Sequence, residues 1–283
     1  MSLLLPAAAA LDPAAAIAHY REHGWARLGR VVTDEALVAL RERADAIMLG
    51  EVTIEGLFFQ HDAASGRYED LPIGQGWVGP SLRYRKIEKL ERDPRFRALL
   101  ENPLYERVVR GVITGPIAIY RAVMFAKADE HGAPLPWHQD GGTFWGLDRE
   151  PELQIWTALD DAPGEAGCVE VLPGSHRDGL ATPLGGVVPQ DRIAARGAEA
   201  EAVAVPVVAG EALLIHNHVW HRSAQNRSGR PRRALTVCYM SAATRCLRKK
   251  RAPRSFVRVF EGEPGGEADR DQPPPHQASA IRA

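Results

Sequence analysis

The sequence predicts a mainly β fold, an antiparallel sandwich or jelly roll flanked on its N-terminal side by helices. From Ile117 onward, short runs of β-branched and apolar residues are separated by Gly, Pro and Asp, the spacing of an antiparallel β protein. Before that point the apolar residues recur at helical spacing. At 283 residues the chain is long enough for one large domain with a well-buried core, and β folds of this size commonly stay single.

Taken in order, Asp12 followed by Pro13 is a helix start, a short polar N-cap with proline at the first helical position, and Gly24 is placed to end that helix. Residues 25–31 read as a strand. Thr33-Asp34-Glu35 opens a second helix with Leu37, Leu40 and Ala44 on one face. Residues 50–82 have no clear period and read as a loop over a pocket mouth. Asp93-Pro94-Arg95 starts a helical pattern to about Val112, with Leu99, Leu100, Leu104, Val108 and Val109 on one side. Strands are expected over 117–127, 137–139, 153–159, 169–172, 203–206, 212–215 and 234–240, with 177–202 an excursion between core strands. Residues 261–283 are polar and rich in Pro and Gly, the composition of a disordered tail beyond a domain spanning 1–260.

Acidic and basic residues nearly cancel, 36 against 35, which gives no electrostatic case for nucleic acid or a membrane surface and directs attention to a small-molecule partner. The basic run from Arg245 to Arg254 lacks interleaved aromatics and reads as a solvated face. Three cysteines, Cys168, Cys238 and Cys246, form no disulfide framework and fit a reducing compartment. The start Met1-Ser2-Leu3-Leu4-Leu5-Pro6 has no positive n-region, and no stretch approaches the ~20 apolar residues of a membrane span, so a cytoplasmic protein is expected.

The most informative motif is His138-Gln139-Asp140. Positions i and i+2 of a strand point the same way, so this pair offers two metal ligands to one face. Three further histidines, His216, His218 and His221, are rivals for a third ligand that would complete a facial triad of two imidazoles and one carboxylate. Periodicity alone does not choose among them. His176 follows Pro-Gly-Ser and reads as a turn residue, and His131, in a polar Gly/Pro stretch, as solvent-facing.

The segment from His221 to Thr236 resembles the phytanoyl-CoA dioxygenase family of Fe(II)/2-oxoglutarate oxygenases. So do Trp156-Thr157-Ala158-Leu159-Asp160-Asp161-Ala162, the run Gly167 to Val171, and Leu172-Pro173-Gly174-Ser175-His176, in the family's order. The resemblance spans about Tyr20 to Phe260 and implies a double-stranded β-helix, the cupin-like jelly roll, with Fe(II), 2-oxoglutarate and O2 as cofactor and co-substrates. The family pattern His-x-Ser-x-x-Asn places the distal ligand at His221, giving the metal set His138, Asp140 and His221. Arg232, eleven residues after His221, is the expected partner of the co-substrate's distal carboxylate, because a guanidinium fork matches a carboxylate bidentately. Arg233 then faces the opposite side of the strand, while Ala234, Thr236 and Cys238 share the parity of Arg232 and leave room for a ligand.

Ser223 is a candidate hydroxyl partner of the same carboxylate, and Gln154, Thr157 and Lys127 are candidate contacts for co-substrate or substrate. Trp145 is placed to wall the site, Trp156 and Trp220 read as core, and Asp160-Asp161 as a turn rather than an acid/base pair. The function implied is hydroxylation of an unactivated C–H with release of succinate and CO2. Asp140 favours it over halogenation, since related halogenases lack the carboxylate ligand. A Zn(II) hydrolase on the same His/Asp/His shell and a non-catalytic jelly-roll binder are the alternatives. The basic cluster Arg83, Arg85 and Lys86 permits an anionic substrate.

Overall fold

A computed structural model describes residues 12–129, 132–248 and 254–262. The two N-terminal caps fall where the sequence puts them. Helix α1 (Pro13–His23) is capped by the Asp12 side chain on the Ala14 N–H and ends at Gly24 in the left-handed region; α2 (Asp34–Leu49) is capped by Thr33. Strand β1 (Trp25–Arg30) lies between them. The helical pattern after Asp93 is two helices, α3 (Pro94–Leu100) and α4 (Pro103–Arg110). Pro103 cannot continue α3, and the Asn102 side chain caps α4 by accepting from Leu104 N–H at 2.8 Å.

The span 50–82 is not wholly irregular. It contains β2 (Phe58–His61), which pairs with β3 (Tyr84–Glu88) just beyond it. Next come β4 (Ile117–Lys127), β5 (Leu135–Gln139), β6 (Leu153–Ala158), β7 (Val169–Val171) and the short β8 (Gly186–Val187). The excursion at 177–202 carries β8 with α5 (Gln190–Arg196) and α6 (Ala198–Glu201). Strands β9 (Val203–Val205), β10 (Glu211–His216), β11 (His221–Ser223), β12 (Arg232–Ser241) and β13 (Val257–Phe260) complete the described chain. Residues 263–283, where a tail is expected, and His131 lie outside the described residues.

The strands form two antiparallel sheets. The larger runs β1-β10-β6-β12-β4-β3-β2, with β13 also on β4, and the smaller runs β8-β5-β11-β7-β9. Alternation sorts the larger sheet's side chains. Ile155, Leu214, Leu235 and Val237 pack with Leu37, Leu40, Phe96 and Tyr105 of the helical layer, whereas Trp156, Leu213, Ile215 and Ala234 pack with Val169, Val171 and Val205 of the smaller sheet. The result is a jelly roll with helices on one outer face. Among the described residues no helix is long and apolar enough to cross a membrane.

Candidate metal centre and co-substrate pocket

The centre is built where β5 and β11 run antiparallel, with His138 and His221 directly opposite across the pair. Their rings lie 4.0 Å apart, and Asp140 follows one residue beyond the end of β5, its N–H donating to Asn217 O at 2.8 Å. One ligand atom from each of His138, Asp140 and His221 falls within 4.8 Å of the others. His216 and His218 stand elsewhere: His216 Nδ1 accepts the His218 N–H at 2.9 Å, and its ring lies 4.8 Å from that of His176 and 5.6 Å from that of Tyr20.

Each ligand imidazole is fixed through its Nδ1–H. His138 donates to Pro136 O at 2.9 Å and His221 to Val219 O at 3.0 Å, which leaves each Nε2 lone pair free for a metal. Burial, then the charge of His221, pulls the His138 pKa down to about 3, so its imidazole is neutral. Burial alone would raise the Asp140 carboxyl, but Arg121 first, then the two histidines and Gln154, hold it down to about 2. Two imidazole nitrogens and one carboxylate suit a divalent iron.

Asp140 is itself clamped, by Arg121 Nη2 on Oδ1 at 2.9 Å and by Gln154 Nε2 on Oδ2 at 2.7 Å. Sequence reasoning missed Arg121. Its register explains why: β12 and β4 slip between Cys238 and Tyr239, which pair with Arg121 and Ile119, leaving Tyr120 as an extra residue. Tyr120 and Arg121 therefore both turn inward, and both stack on Trp145, at 4.3 and 4.7 Å. An Arg in the middle of an apolar strand is the one signal that pointed to it.

Behind His221 a cavity runs between the sheets to Arg232, with Ser223, Lys127, Trp156 and Thr236 on its walls. Arg232 is buried. Its Nη2 donates to Gly167 O at 2.7 Å, while its Nε has no partner. Thr236 Oγ1, on the same face, has none either. Such orphaned buried groups are costly unless a ligand completes them. Burial pulls the Arg232 guanidinium down to about 10, and neighbouring Arg85 pulls the same way. Gly167 must be glycine: its φ is +69°, and a Cβ would stand 2.2 Å from Ala224 O.

Other expected residues separate by face. Arg233 points away from the cavity and pairs with Asp160 and Asp45. Thr157 also points away, toward the helices, where its Oγ1 and the Tyr105 hydroxyl share a 2.6 Å hydrogen bond, and this corrects its assignment as a co-substrate contact. Gln154 lines the cavity but spends its amide on Asp140. Asp160 pairs with Arg41 and Arg233, and Asp161 accepts from Ala209 N–H, so neither is placed as an acid/base.

Two imidazoles and a carboxylate converging inside a jelly roll, with a buried arginine behind them, match the ligand pattern that non-haem Fe(II) oxygenases use. The chain matches the family model described as phytanoyl-CoA dioxygenase (PhyH) over residues 20–234, and it belongs to that family. It is 31% identical over 159 residues to phytanoyl-CoA dioxygenase domain-containing protein 1 of Bos taurus, the match covering 53% of this chain and 54% of the relative. The chain thus spans about half the length of the first curated relatives it matches. L-proline trans-4-hydroxylase of Streptomyces griseoviridis is 30% identical over 224 residues, covering 62% of this chain and 83% of that enzyme. Among solved structures, EctD from S. alaskensis, with 2-oxoglutarate and 5-hydroxyectoine, superposes at a TM-score of 0.67 and 17% identity, covering 93% of this chain and 90% of that one. The non-heme alpha ketoglutarate dependent carbocyclase SnoK superposes at 0.64 and 21% identity, covering 88% and 97%. At these identities the superpositions show the fold.

Proposed function

We propose that this chain is an Fe(II)- and 2-oxoglutarate-dependent dioxygenase that hydroxylates an unactivated C–H of a small-molecule substrate. The balance is substrate C–H, 2-oxoglutarate and O2 giving C–OH, succinate and CO2. The observation that carries the reading is the pairing, in one cavity, of the His138/Asp140/His221 cluster with Arg232, a buried cation whose Nε lacks a partner. A metal hydrolase has no need of that cation.

In this reading His138, Asp140 and His221 hold the metal. Bound Fe(II) supplies the activation of O2, coupled to oxidative decarboxylation of 2-oxoglutarate. The remaining work belongs to the chain. Arg121 and Gln154 keep the Asp140 carboxylate anionic and oriented, and Arg232, with Ser223, Thr236 and Lys127 beside it, receives the co-substrate's distal carboxylate. Trp156 and Ile215 make the cavity wall apolar and keep water from the reacting centre.

The relatives named for acting on proline and found with 5-hydroxyectoine support a small-molecule substrate. The facing of both sheets onto this site supports one jelly-roll domain to about residue 260, and the free thiols of Cys168, Cys238 and Cys246 support the cytoplasm. The test is anaerobic addition of Fe(II) and 2-oxoglutarate to metal-free protein, read by the visible metal-to-ligand charge-transfer band. The wild type should develop the band, and Arg232→Ala should require far more 2-oxoglutarate. Bound metal without a band would overturn the reading.

A further inference from the structure

The basic run from Arg245 to Arg254 reads in sequence as a solvated face because no aromatics are interleaved with it. The fold supplies them from elsewhere. Arg248 lies over the Phe144 ring and donates to Phe144 O, and Arg254 rests on the rings of Tyr120 and Phe256, 4.8 and 5.3 Å from their centroids. Residues 245–247 are zipped onto 146–148: Asp148 N–H donates to Arg245 O, Leu247 N–H donates to Gly146 O, and Leu147 bridges Cys246. The strip 146–148 follows Asp140 and Trp145 directly, so the run is fastened beside the metal centre.

Between the two ends of the run lies a cleft of about 370 Å³, far more than one water needs. Arg245, Arg254 and Arg258 line it with Thr244, Cys246 and Phe256, and among the described residues no carboxylate does. Ala118 and Ala242 place it at the opposite end of β4 and β12 from Arg232. The three arginines differ in their partners. Arg245 is held by Asp148 at 2.9 Å, and Glu261 stands 3.6 Å from Arg258. Arg254 lies within electrostatic reach of Glu88 and Glu91 but makes no ion pair with any described residue. Thr244 is only 6% exposed, yet its hydroxyl has no hydrogen bond to a described residue. Burial alone would raise the Cys246 thiol, but the backbone N–H groups of Arg248 and Arg254, then their charges, hold it below its ordinary value. A guanidinium, a buried hydroxyl and a thiol that favours its anion, around one cleft, fit an anionic ligand.

We propose that this cleft binds an anionic group, carboxylate or phosphate, carried by the substrate, with Arg254 as its counter-ion and Thr244 as a hydroxyl donor. This rests on the oxygenase reading above and names a substrate class for it. Ala118, on the wall of the cleft, precedes Arg121 by three residues, about 10 Å of strand. The substrate is therefore elongated, its charge standing on that scale from the reacting C–H. The co-substrate's distal carboxylate and the substrate's charge then occupy opposite ends of one sheet face, with the metal between them.

Cys246 reports on the cleft, because Cys168 and Cys238 are buried. The experiment compares its alkylation by iodoacetate, an anion, and by neutral iodoacetamide, using peptide mass spectrometry on the full chain with and without Fe(II), in the absence of O2. Relative to free cysteine, the wild type should favour iodoacetate roughly tenfold, the lower end of the enrichment that a cleft of one charge sign gives. Arg254→Gln should lose most of that preference, and Arg254→Lys should keep it. A wild-type ratio equal to that of free cysteine, or one that Arg254→Gln leaves unchanged, would overturn the proposal. A second arm separates a substrate's charge from a free anion, by protection of Cys246 in protein loaded with Fe(II) and 2-oxoglutarate. Octanoate should protect at a concentration roughly tenfold lower than acetate, through its buried chain, and should shift the charge-transfer band, whereas octanamide should do neither. Equal protection by acetate and octanoate would mark a free-anion site and overturn the assignment to the substrate. Bound metal without a band would instead overturn the oxygenase reading, leaving the alkylation result on the cleft to stand.

Discussion

Arg121 Nη2 donates to Asp140 Oδ1 at 2.9 Å, so the carboxylate of the candidate metal centre is tied to the larger sheet although both imidazoles stand on the smaller one. Outer partners of this kind orient ligands, and their loss commonly costs about 10–100-fold in metal affinity. Arg121→Met should weaken Fe(II) binding on that scale, measured by anaerobic Fe(II) titration, while leaving the fold intact by circular dichroism. Unchanged affinity would show that Gln154 suffices.

Gln154 and Thr157 lie three residues apart on β6 and face opposite layers, so their variants should separate cleanly. Thr157→Val strips the buried Tyr105 hydroxyl of its partner and should cost about 1–3 kcal/mol in urea denaturation, with 2-oxoglutarate affinity unchanged. Gln154→Leu should instead perturb the metal centre. Equal effects of Thr157→Val on co-substrate affinity would restore it to the pocket.

Acid should expose the second histidine group. Burial, then His218 and His176, pull the His216 pKa to about 3 from its ordinary 6.5. Because the folded value is depressed, the unfolded chain takes up the proton first. The contribution to stability is whole above about pH 6.5 and is lost as pH falls toward 3. His216→Gln should lose less melting temperature across that window than the wild type, both compared free of metal. Parallel curves would refute a buried, neutral His216.

Gly167 joins the fold to the pocket, since its carbonyl holds Arg232 Nη2 while its φ of +69° excludes a side chain. Gly167→Ala should destabilise the protein by about 1–3 kcal/mol and raise the 2-oxoglutarate Kd several-fold, read by denaturation and anaerobic titration. A variant that binds 2-oxoglutarate normally would detach this loop from the site.

Much of the candidate site was legible because it obeys simple periods. Position i+2 on an extended segment brings His138 and Asp140 together, and strand alternation sends Arg232 inward and Arg233 outward. The same alternation, applied strictly, separates Gln154 from Thr157, and naming both as cavity contacts overlooked it. Arg121 escaped for the opposite reason: it sits at a bulge, where period two fails and the partner strand alone reveals the shift. Strands β3, β11 and β13 were missed because they are three to five residues long and defined by what they pair with. The helical pattern expected to run to Val112 is divided because Pro103 cannot continue the first helix and Asn102 caps a second.

The tether of each imidazole has a consequence for where this site can exist. His138 and His221 are each oriented by a carbonyl two residues earlier on their own stretch of chain, so neither depends on a distant side chain for its aim. Two short strands laid antiparallel carry their own alignment. The nitrogen half of the centre thus takes its aim from its own two strands, while the carboxylate half takes its aim from side chains of the other sheet, Arg121 and Gln154.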